Sequence, residues 1–170
     1  KTNIHKEYVK KGFADAKVTI QDKVNAQDPT LVDWTIDVQK GKKVTISHIE
    51  FVGTESVSDA QLSKNAFKDT KQKRFGIQWI LKPSKFIQDK YDEDKGNLVN
   101  YYRSLGFRDA RIVSDSVWRD PKNQYQINVK LNEGKKYYLG DINFLGNTAF
   151  STEYLQKVLG YKTGDIYDAV

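Results

Sequence analysis

The chain repeats itself at a spacing of about 93 residues. YVKKGFADAKV at 8–18 and YYRSLGFRDARIV at 101–113 share a Gly-Phe pair followed by Asp-Ala and a basic residue, at a spacing of 94 (Gly12 to Gly106). KGKKVTISHIEFVGTESVSDAQL at 40–62 and EGKKYYLGDINFLGNTAFSTEYL at 133–155 match at a spacing of 93. A fixed period of this length indicates tandem structural units, each near the lower size limit for an independent hydrophobic core.

The repeat divides the 170 residues into one whole unit and parts of two others. Residues 42–134 contain every element of the unit, residues 1–41 contain only its C-terminal half, and residues 135–170 contain only its N-terminal half. The apolar patterns and turn signals within 42–134 predict the order β-α-α-β-β. We therefore expect an α+β protein of tandem units, each a three-stranded mixed sheet covered on one face by two antiparallel helices.

Capping and stop signals place the helices. Ser58 and Gln61 form a capping-box pair, which predicts that the first helix of the complete unit begins after Ser58. A second helix is predicted at 88–105 and ends at Gly106, since glycine adopts positive φ without strain. In the last partial unit, Ser151 takes the cap position after a predicted strand at 138–146. The second helix is expected to bury the face formed by Tyr91, Lys95, Leu98, Tyr102 and Leu105.

Period-two alternation predicts three strands in the complete unit: 46–52, 111–118 and 125–131, the last two joined by a turn with Asp120 first and Pro121 second. Because a crossover through helices joins parallel neighbours, strand 125–131 is expected in the middle of the sheet. Strand 111–118 is then left on an edge. The predicted core consists of Ile49, Phe51, Leu62, Leu98, Tyr102, Leu105, Phe107, Ile112, Ile127, Val129 and Leu131.

The sequence offers no catalytic constellation. There is no cysteine, so thiolate metal sites and cysteine nucleophiles are excluded, and no nucleotide-binding or zinc-protease motif occurs. The two histidines, His5 and His48, form no motif, and His48 is interpreted as a surface residue of its strand. DEDKGN at 92–97 lacks the ligand spacing of a calcium loop and falls inside a predicted helix. We expect a protein that is not an enzyme, with no catalytic residues, no cofactor and no metal site.

The composition limits where the protein can be located and which partners it can bind. No run of about 18 apolar residues occurs, which argues against a membrane-spanning helix. The chain has no signal peptide and no methionine, and we expect it to be part of a longer protein. The net charge of +6 is compatible with a Lys-rich solvated surface. Nucleic-acid binding rests on that charge alone, and we expect none.

One basic and aromatic segment has no counterpart in the last partial unit. TKQKRFGIQWILKPSK at 70–85 interleaves cationic and large apolar side chains. Two interpretations stay open: an extended connection between helices that packs on its own unit, or a contact with a membrane surface or a partner. A third, binding of single-stranded nucleic acid, has no support from RNP-like aromatic residues on the sheet. The residues that would make the contact are Lys73, Arg74, Phe75, Trp79 and Lys82.

The helix-to-strand junction YYRSLGFRDARI, the openings IEFVGTESVSDAQL and INFLGNTAFSTEYLQKVL, and KTGDIYDA together resemble POTRA domains. These are the polypeptide-transport-associated repeats of BamA-type outer-membrane β-barrel assembly proteins. The long basic segment is similar to that of the Bacteroidetes members. The resemblance covers nearly the whole chain. It implies a non-catalytic arm on the periplasmic side of the bacterial outer membrane.

The resemblance also implies the partners. Such an arm receives unfolded outer-membrane protein clients and docks accessory lipoproteins of the assembly complex, and the C-terminal membrane barrel of the family is absent from this chain. A client strand would add to an unpaired sheet edge by main-chain hydrogen bonds. The residues expected to form that edge are Arg111, Ile112, Val113, Ser114, Asp115, Ser116 and Val117. This edge is expected to lack the inward charges and the proline that would block pairing. An outward N–H is expected at Val113 or Ser114, depending on the register.

Two further expectations accompany this interpretation. The alternative function is a structural spacer or partner-docking arm of another POTRA-bearing transporter, which would bind no client directly. The two half units are each expected to expose an apolar face, because a lone half cannot bury its apolar residues. We expect these halves to complete each other between neighbouring chains as a swapped oligomer.

Overall fold

The computed structural model describes residues 2–72 and 84–168. The first partial unit consists of α1 (Thr2–Lys10), β1 (Lys17–Val24) and β2 (Val32–Gln39). The complete unit contains β3 (Ile46–Val52), α2 (Asp59–Asn65), α3 (Gln88–Ser104), β4 (Arg111–Arg119) and β5 (Tyr125–Asn132). Within the described residues, the last partial unit contributes α4 (Thr152–Leu159). The architecture is α+β, as predicted.

The strands form two sheets. β1 and β2 pair antiparallel along their whole length, from Lys17 opposite Gln39 to Val24 opposite Val32. β3, β5 and β4 form a three-stranded mixed sheet in that order, which confirms the predicted central position of β5 and the edge position of β4. One face of β5 buries Ile127, Val129 and Leu131, and its opposite face carries polar side chains.

The chain packs as two compact units whose limits differ from those of the sequence repeat. The first contains residues 1–50, 68–93 and 116–128, and the second contains residues 51–67, 94–115 and 129–170. The first therefore includes the partial unit at the N-terminus with three segments of the complete unit, 42–50, 68–93 and 116–128. The second includes the other three segments of the complete unit, 51–67, 94–115 and 129–134, with the partial unit that follows.

The repeated Gly-Phe pair is a helix end. After α3, the N–H of Gly106 bonds to the carbonyl of Arg103 and the N–H of Phe107 bonds to that of Tyr102, which is the Schellman pattern. Gly106 has φ +94°, as this motif requires. α1 ends in the same way, with Gly12 at φ +93° and the N–H of Phe13 bonded to the carbonyl of Tyr8. The aromatic pairs are alike at the two helix ends. The ring centroids of Phe107 and Tyr102 are 5.6 Å apart and those of Phe13 and Tyr8 are 6.1 Å apart, both in an edge-to-face arrangement.

The helix beginnings also follow the sequence. Ser58 caps α2, its Oγ accepts from the backbone N–H of Gln61, and the Gln61 side chain reaches back to the Ser58 N–H. Ser151 caps α4 by accepting from the N–H of Tyr154. DEDKGN lies inside α3, where no calcium loop forms.

The core differs from its prediction at three positions. Asp94 is buried on α3, whereas Lys95, which was predicted for the buried face, is only half-buried. Residues three or four positions apart lie on the same face of a helix, so either residue 94 or residue 95 can share a face with Tyr91 and Leu98. The spacing alone did not distinguish these two positions. Leu105 and Ile112 are half-buried because both lie near the ends of their elements. The other nine predicted core residues are buried.

The strand predicted at 138–146 is wrong. Tyr138 forms an isolated bridge with Ile166, and residues 139–146 are irregular. A strand needs a ladder partner for its backbone groups. Residues 164–167 supply one only at the start of the segment, where the Leu139 N–H bonds to the Asp165 carbonyl and the Gly164 N–H bonds to the Leu139 carbonyl. Its alternating sequence is therefore left open to solvent, with Leu145 93% exposed.

Both partial units expose apolar residues whose repeat equivalents are buried. Trp34 on β2 is 68% exposed, and Ile127, 93 positions later, is buried. Phe150, just before α4, and Leu159, its last residue, are exposed, whereas their equivalents Val57 and Ala66 are buried. Each partial unit thus carries half of an interface that the complete unit closes within itself.

We expect Leu98→Ala to lower the free energy of unfolding by about 2–4 kcal/mol, because Leu98 is fully buried and truncation leaves a cavity. Asn100→Ala, on the exposed side of the same helix, is the matched control and should have little effect. Chemical denaturation measures both, and an unchanged midpoint for Leu98→Ala would contradict the core assignment.

Two glycines of the complete unit should respond oppositely to alanine. Gly106→Ala forces a Cβ to 2.8 Å from Ile166 Cγ2 at φ +94°, which should cost roughly 1–3 kcal/mol. Gly96→Ala in α3 meets nothing within 4 Å and should raise stability by about 0.5–1 kcal/mol, because alanine favours the helix. Thermal denaturation of the two variants is the measurement. Effects of the same sign would refute the assigned helix end.

We expect the chain to self-associate through the exposed faces of its partial units. Trp34→Lys should reduce the association, because Trp34 lies on the apolar face of β2. Trp118→Lys, at an exposed tryptophan outside the partial units, should leave it unchanged. Light scattering over a wide concentration range measures the mass. A monomer at every concentration would disprove the expectation.

Candidate strand-binding edge

β4 forms one edge of the three-stranded sheet, and no described strand pairs with its outer side. All seven residues predicted for the edge, 111–117, lie in this strand. Most of them are exposed, including Val113 at 53%, whereas Ile112 and Val117 are half-buried. The structure therefore brings the predicted residues together on one strand.

The turn after β4 determines which backbone groups point outward near it. Asn123 donates its N–H to the Asp120 carbonyl and has φ +58°, and the Asp120 N–H bonds to the Gln124 carbonyl. This is the three-residue hairpin loop in which a turn is followed by a left-handed residue. Since the Asp120 N–H faces β5, alternation turns the N–H groups of Arg119 and Val117 toward the free edge.

The two faces of β4 do not alternate regularly along the strand. It has nine residues where β5 has eight, and its two half-buried positions, Ile112 and Val117, are an odd number of residues apart. Lys95 Nζ lies 3.2 Å from Asp115 Oδ2, which places the Asp115 side chain on the α3 side of the sheet. Ile112 and Asp115 cannot share a face in a regular strand, so we infer a β-bulge at Val113–Ser114.

The bulge bears on two sequence expectations. The edge was expected to lack inward-pointing charge, but Asp115 points toward the helix and is paired with Lys95. Inward charges and bulges both limit uncontrolled pairing at sheet edges. The outward N–H was expected at Val113 or Ser114, depending on the register, and that choice stays a prediction. The hairpin turn defines the direction of the Val117 N–H more directly.

The opposite edge of the sheet is covered by the chain itself. The Ile46 N–H of β3 bonds to the Ser84 carbonyl at 3.0 Å, and Thr45 forms a bridge with Lys85. The Gln72 side-chain oxygen accepts the Ile49 N–H at 3.1 Å, so a side chain takes the place of a neighbouring strand. Between the two edges, β4 is the one that offers backbone groups to another chain.

The solvent face of the sheet is polar and internally paired. Gln126 donates to Ser47 and to Asp120, and Asn128 donates to Glu50. These pairs engage the polar side chains of β3 and β5 with one another. Binding at the sheet is therefore expected through strand addition at its edge.

A shallow cleft adjoins the start of β4. Arg111 and Val113 line it together with Gly53, Glu55 and residues 130–134. Glu133 in this cleft accepts from the backbone N–H and the hydroxyl of Ser56 and from the Tyr102 hydroxyl. Burial and the Glu133 hydrogen bond raise the pKa of Tyr102, so its phenol stays protonated as a donor. The cleft thus presents Arg111 and Lys130 beside a carboxylate already engaged in the fold.

The structure bears on some of the remaining sequence expectations and not on others. Lys73, Arg74, Phe75, Trp79 and Lys82 lie outside the described residues. Within the described ranges, no group of histidine and acidic side chains could hold a metal ion, and no helix is long and apolar enough to cross a membrane. His48 is exposed on β3, as interpreted.

Sequence reasoning missed the Gln72 contact and the Lys95–Asp115 pair. Lys95 and Asp115 are opposite charges on adjacent elements, which is a weak signal because many surface charges meet that description. Gln72 acts through a single side-chain oxygen, and nothing in its neighbours marks that role.

A family model described as POTRA, surface antigen variable number repeat, matches residues 44–134 and again residues 137–170. The chain is 29% identical over 99% of its length to a Treponema pallidum protein named as an outer membrane protein assembly factor. It is 26% identical over 97% of its length to the outer membrane protein assembly factor BamA of Neisseria meningitidis. The chain spans about a fifth of the length of these relatives, 20% in each case.

Two solved structures named as BamA also match this chain. The crystal structure of Haemophilus influenzae BamA POTRA3-5 matches 99% of this chain and 62% of that one, with 18% sequence identity and a TM-score of 0.49. A BamA structure from Haemophilus ducreyi matches 82% of this chain and 23% of that one, with 18% identity and a TM-score of 0.42.

Proposed function

The chain belongs to the POTRA family, and we propose that it is the periplasmic POTRA region of an outer-membrane β-barrel assembly factor that binds unfolded outer-membrane proteins by strand addition. This assignment to an assembly factor is supported by relatives that are named as assembly factors and match nearly the whole of this chain. The region acts by binding, and no catalytic step is assigned to it.

The observation that carries the proposal is the open edge of β4. Its outer side is unpaired within the described chain, whereas β3 is covered by Ser84 and Gln72. An extended segment that reaches β4 can donate to and accept from backbone groups such as those of Val117. Each such bond contributes about 0.5–1.5 kcal/mol, so several in a row give a weak, reversible complex.

Strand addition suits a protein that handles many clients. Main-chain groups are the same in every sequence, so the edge recognises extended conformation rather than a particular side chain. The bulge at 113–114 divides the edge, which favours short contacts over a long continuous ladder. A client held in this way is released readily, as a transfer step requires.

The proposal also includes the docking of partners, for which it names a class of partner and a segment of the chain. Accessory lipoproteins would bind the same arm, and the basic and aromatic residues of segment 73–82 remain the predicted contact with a partner or a membrane surface. The membrane barrel that would carry out insertion lies outside this chain. Cationic residues next to aromatic ones favour anionic lipid headgroups, which gives this contact a physical basis.

A second candidate function is a spacer that sets the distance between partners and binds no client. The two helix ends after α1 and α3, which receive the following segment in the same way, favour it. Peptide binding separates the two functions, since a spacer binds no extended client segment.

Val117→Pro tests the edge, because proline removes an N–H that alternation directs away from β5. Binding of an unfolded peptide with the sequence of an outer-membrane β-strand should weaken by about tenfold or more, as measured by fluorescence anisotropy. Val117→Ala keeps the N–H and is the matched control, for which we expect a small change. Circular dichroism checks that both variants fold.

Two outcomes would contradict the proposal in different ways. A folded Val117→Pro variant that binds as tightly as the unmodified chain would exclude this edge as the client site. An unmodified chain that binds no such peptide would instead favour the spacer function.

A further inference from the structure

The chain contains the same joint twice. At the end of α1, the Gly12 carbonyl accepts the N–H of Val44 at 2.9 Å, and Lys43 Nζ lies 5.5 Å from the centre of the Phe13 ring. At the end of α3, the Gly106 carbonyl accepts the N–H of Tyr137 at 2.8 Å, and Lys136 lies 5.8 Å from the Phe107 ring. Each joint therefore fastens the following segment to the left-handed glycine that stops a helix.

These shared contacts form a pivot. In each joint, one backbone hydrogen bond and one lysine over an aromatic ring hold the two segments together at a single point. Rotation of one segment about that point changes the length of neither contact by much. Fixing the angle requires a second attachment some distance from the first. The two joints differ in the attachment that each supplies.

In the first joint the second attachment is an ion pair with a distant hairpin. Arg119, at the end of β4, donates through one guanidinium nitrogen to both Asp15 oxygens, at 2.8 and 2.9 Å. Asp15 belongs to the turn after Gly12, and 104 residues separate the two partners. The second joint uses a neighbouring group, since the Tyr137 hydroxyl donates to Asp109 at 2.6 Å.

Arg119 is held ready for this contact. Its guanidinium also donates to Asn123 Oδ1 at 3.1 Å and to the Tyr125 hydroxyl at 3.2 Å, and it lies over the Tyr125 ring. The Gly41 backbone lies close to Asp15, since a Cβ added at Gly41 would be 3.5 Å from the Asp15 Cβ. Side chains fixed in advance lose less entropy on pairing than free surface charges do.

We propose that Arg119 and Asp15 form an electrostatic latch that fixes the angle between the first partial unit and the complete unit. The latch makes this joint sensitive to salt, because both side chains are partly exposed and screening weakens their attraction. Since Arg119 is also the last residue of the edge strand, the latch places the Asp15 turn against one end of β4. The proposal does not depend on client binding.

The experiment measures distances between spin labels, which the absence of native cysteine makes straightforward. Lys23→Cys and Lys122→Cys place labels on exposed positions on either side of the first joint. Asn97→Cys and Lys157→Cys, both within the second compact unit, provide the control pair across the second joint. The pulsed dipolar distance distribution is recorded at low and at high salt.

We expect Asp15→Ala and Arg119→Gln each to broaden the distribution across the first joint, with an increase of about twofold to fivefold in the population outside the main peak. Asp15→Ala keeps the Cβ beside Gly41, so packing is retained. High salt should broaden the unmodified chain similarly and have little further effect on either variant. The charge-reversed pair Asp15→Arg with Arg119→Glu should restore the narrow distribution, and the control pair should not respond.

Two results would overturn the latch. If either single variant keeps the narrow distribution at low salt, the pivot alone fixes the angle. If both single variants broaden it but neither salt nor charge reversal matters, the contact acts by shape and the electrostatic mechanism is wrong. Circular dichroism of each variant separates joint opening from unfolding.

Discussion

The left-handed glycine at the end of a helix is the constraint on which this structure depends. At φ +93° and +94°, Gly12 and Gly106 stop their helices, fold the following phenylalanine back on the last turn and turn their own carbonyls toward the next segment. An amino acid with a Cβ would be strained at either position. One backbone conformation thus performs two tasks, since it ends an element inside one unit and provides the hydrogen-bond acceptor for the start of the next.

This constraint determines where the sheet can be open. β3 follows the joint directly, and on its outer side Ser84 and Gln72 satisfy the Ile46 and Ile49 N–H groups. β5 is enclosed between its neighbours. β4 begins just after the second helix stop, and no strand of residues 2–72 or 84–168 pairs with its outer side. The open edge is therefore a consequence of the order β-α-α-β-β, and the bulge and the inward Asp115 restrain it.

Sequence reasoning succeeded where a feature is local or repeated, and it failed where a distant partner decides. The Ser58 cap, the Gly106 stop and the Asp120 turn each depend on a few adjacent residues, and all three were predicted. The strand at 138–146 was not formed, because alternation indicates a strand only where a neighbouring segment pairs along its length, and residues 164–167 pair only with its start. Asp94 replaced Lys95 in the core, and the bulge in β4 escaped notice, because a shift of one residue leaves the apolar pattern almost unchanged.

Repetition also explains why the two joints can differ without altering the fold. The pivot uses backbone groups and an aromatic ring, which the repeated Gly-Phe pair reproduces in each copy. The second attachment uses side chains, and these vary independently: Arg119 reaches Asp15 in one joint, and Tyr137 reaches Asp109 in the other. An ion pair weakens with salt, whereas a hydrogen bond from a neutral phenol is less affected by it. A tandem array built in this way keeps one unit design while the stiffness of each joint is set by a few surface residues.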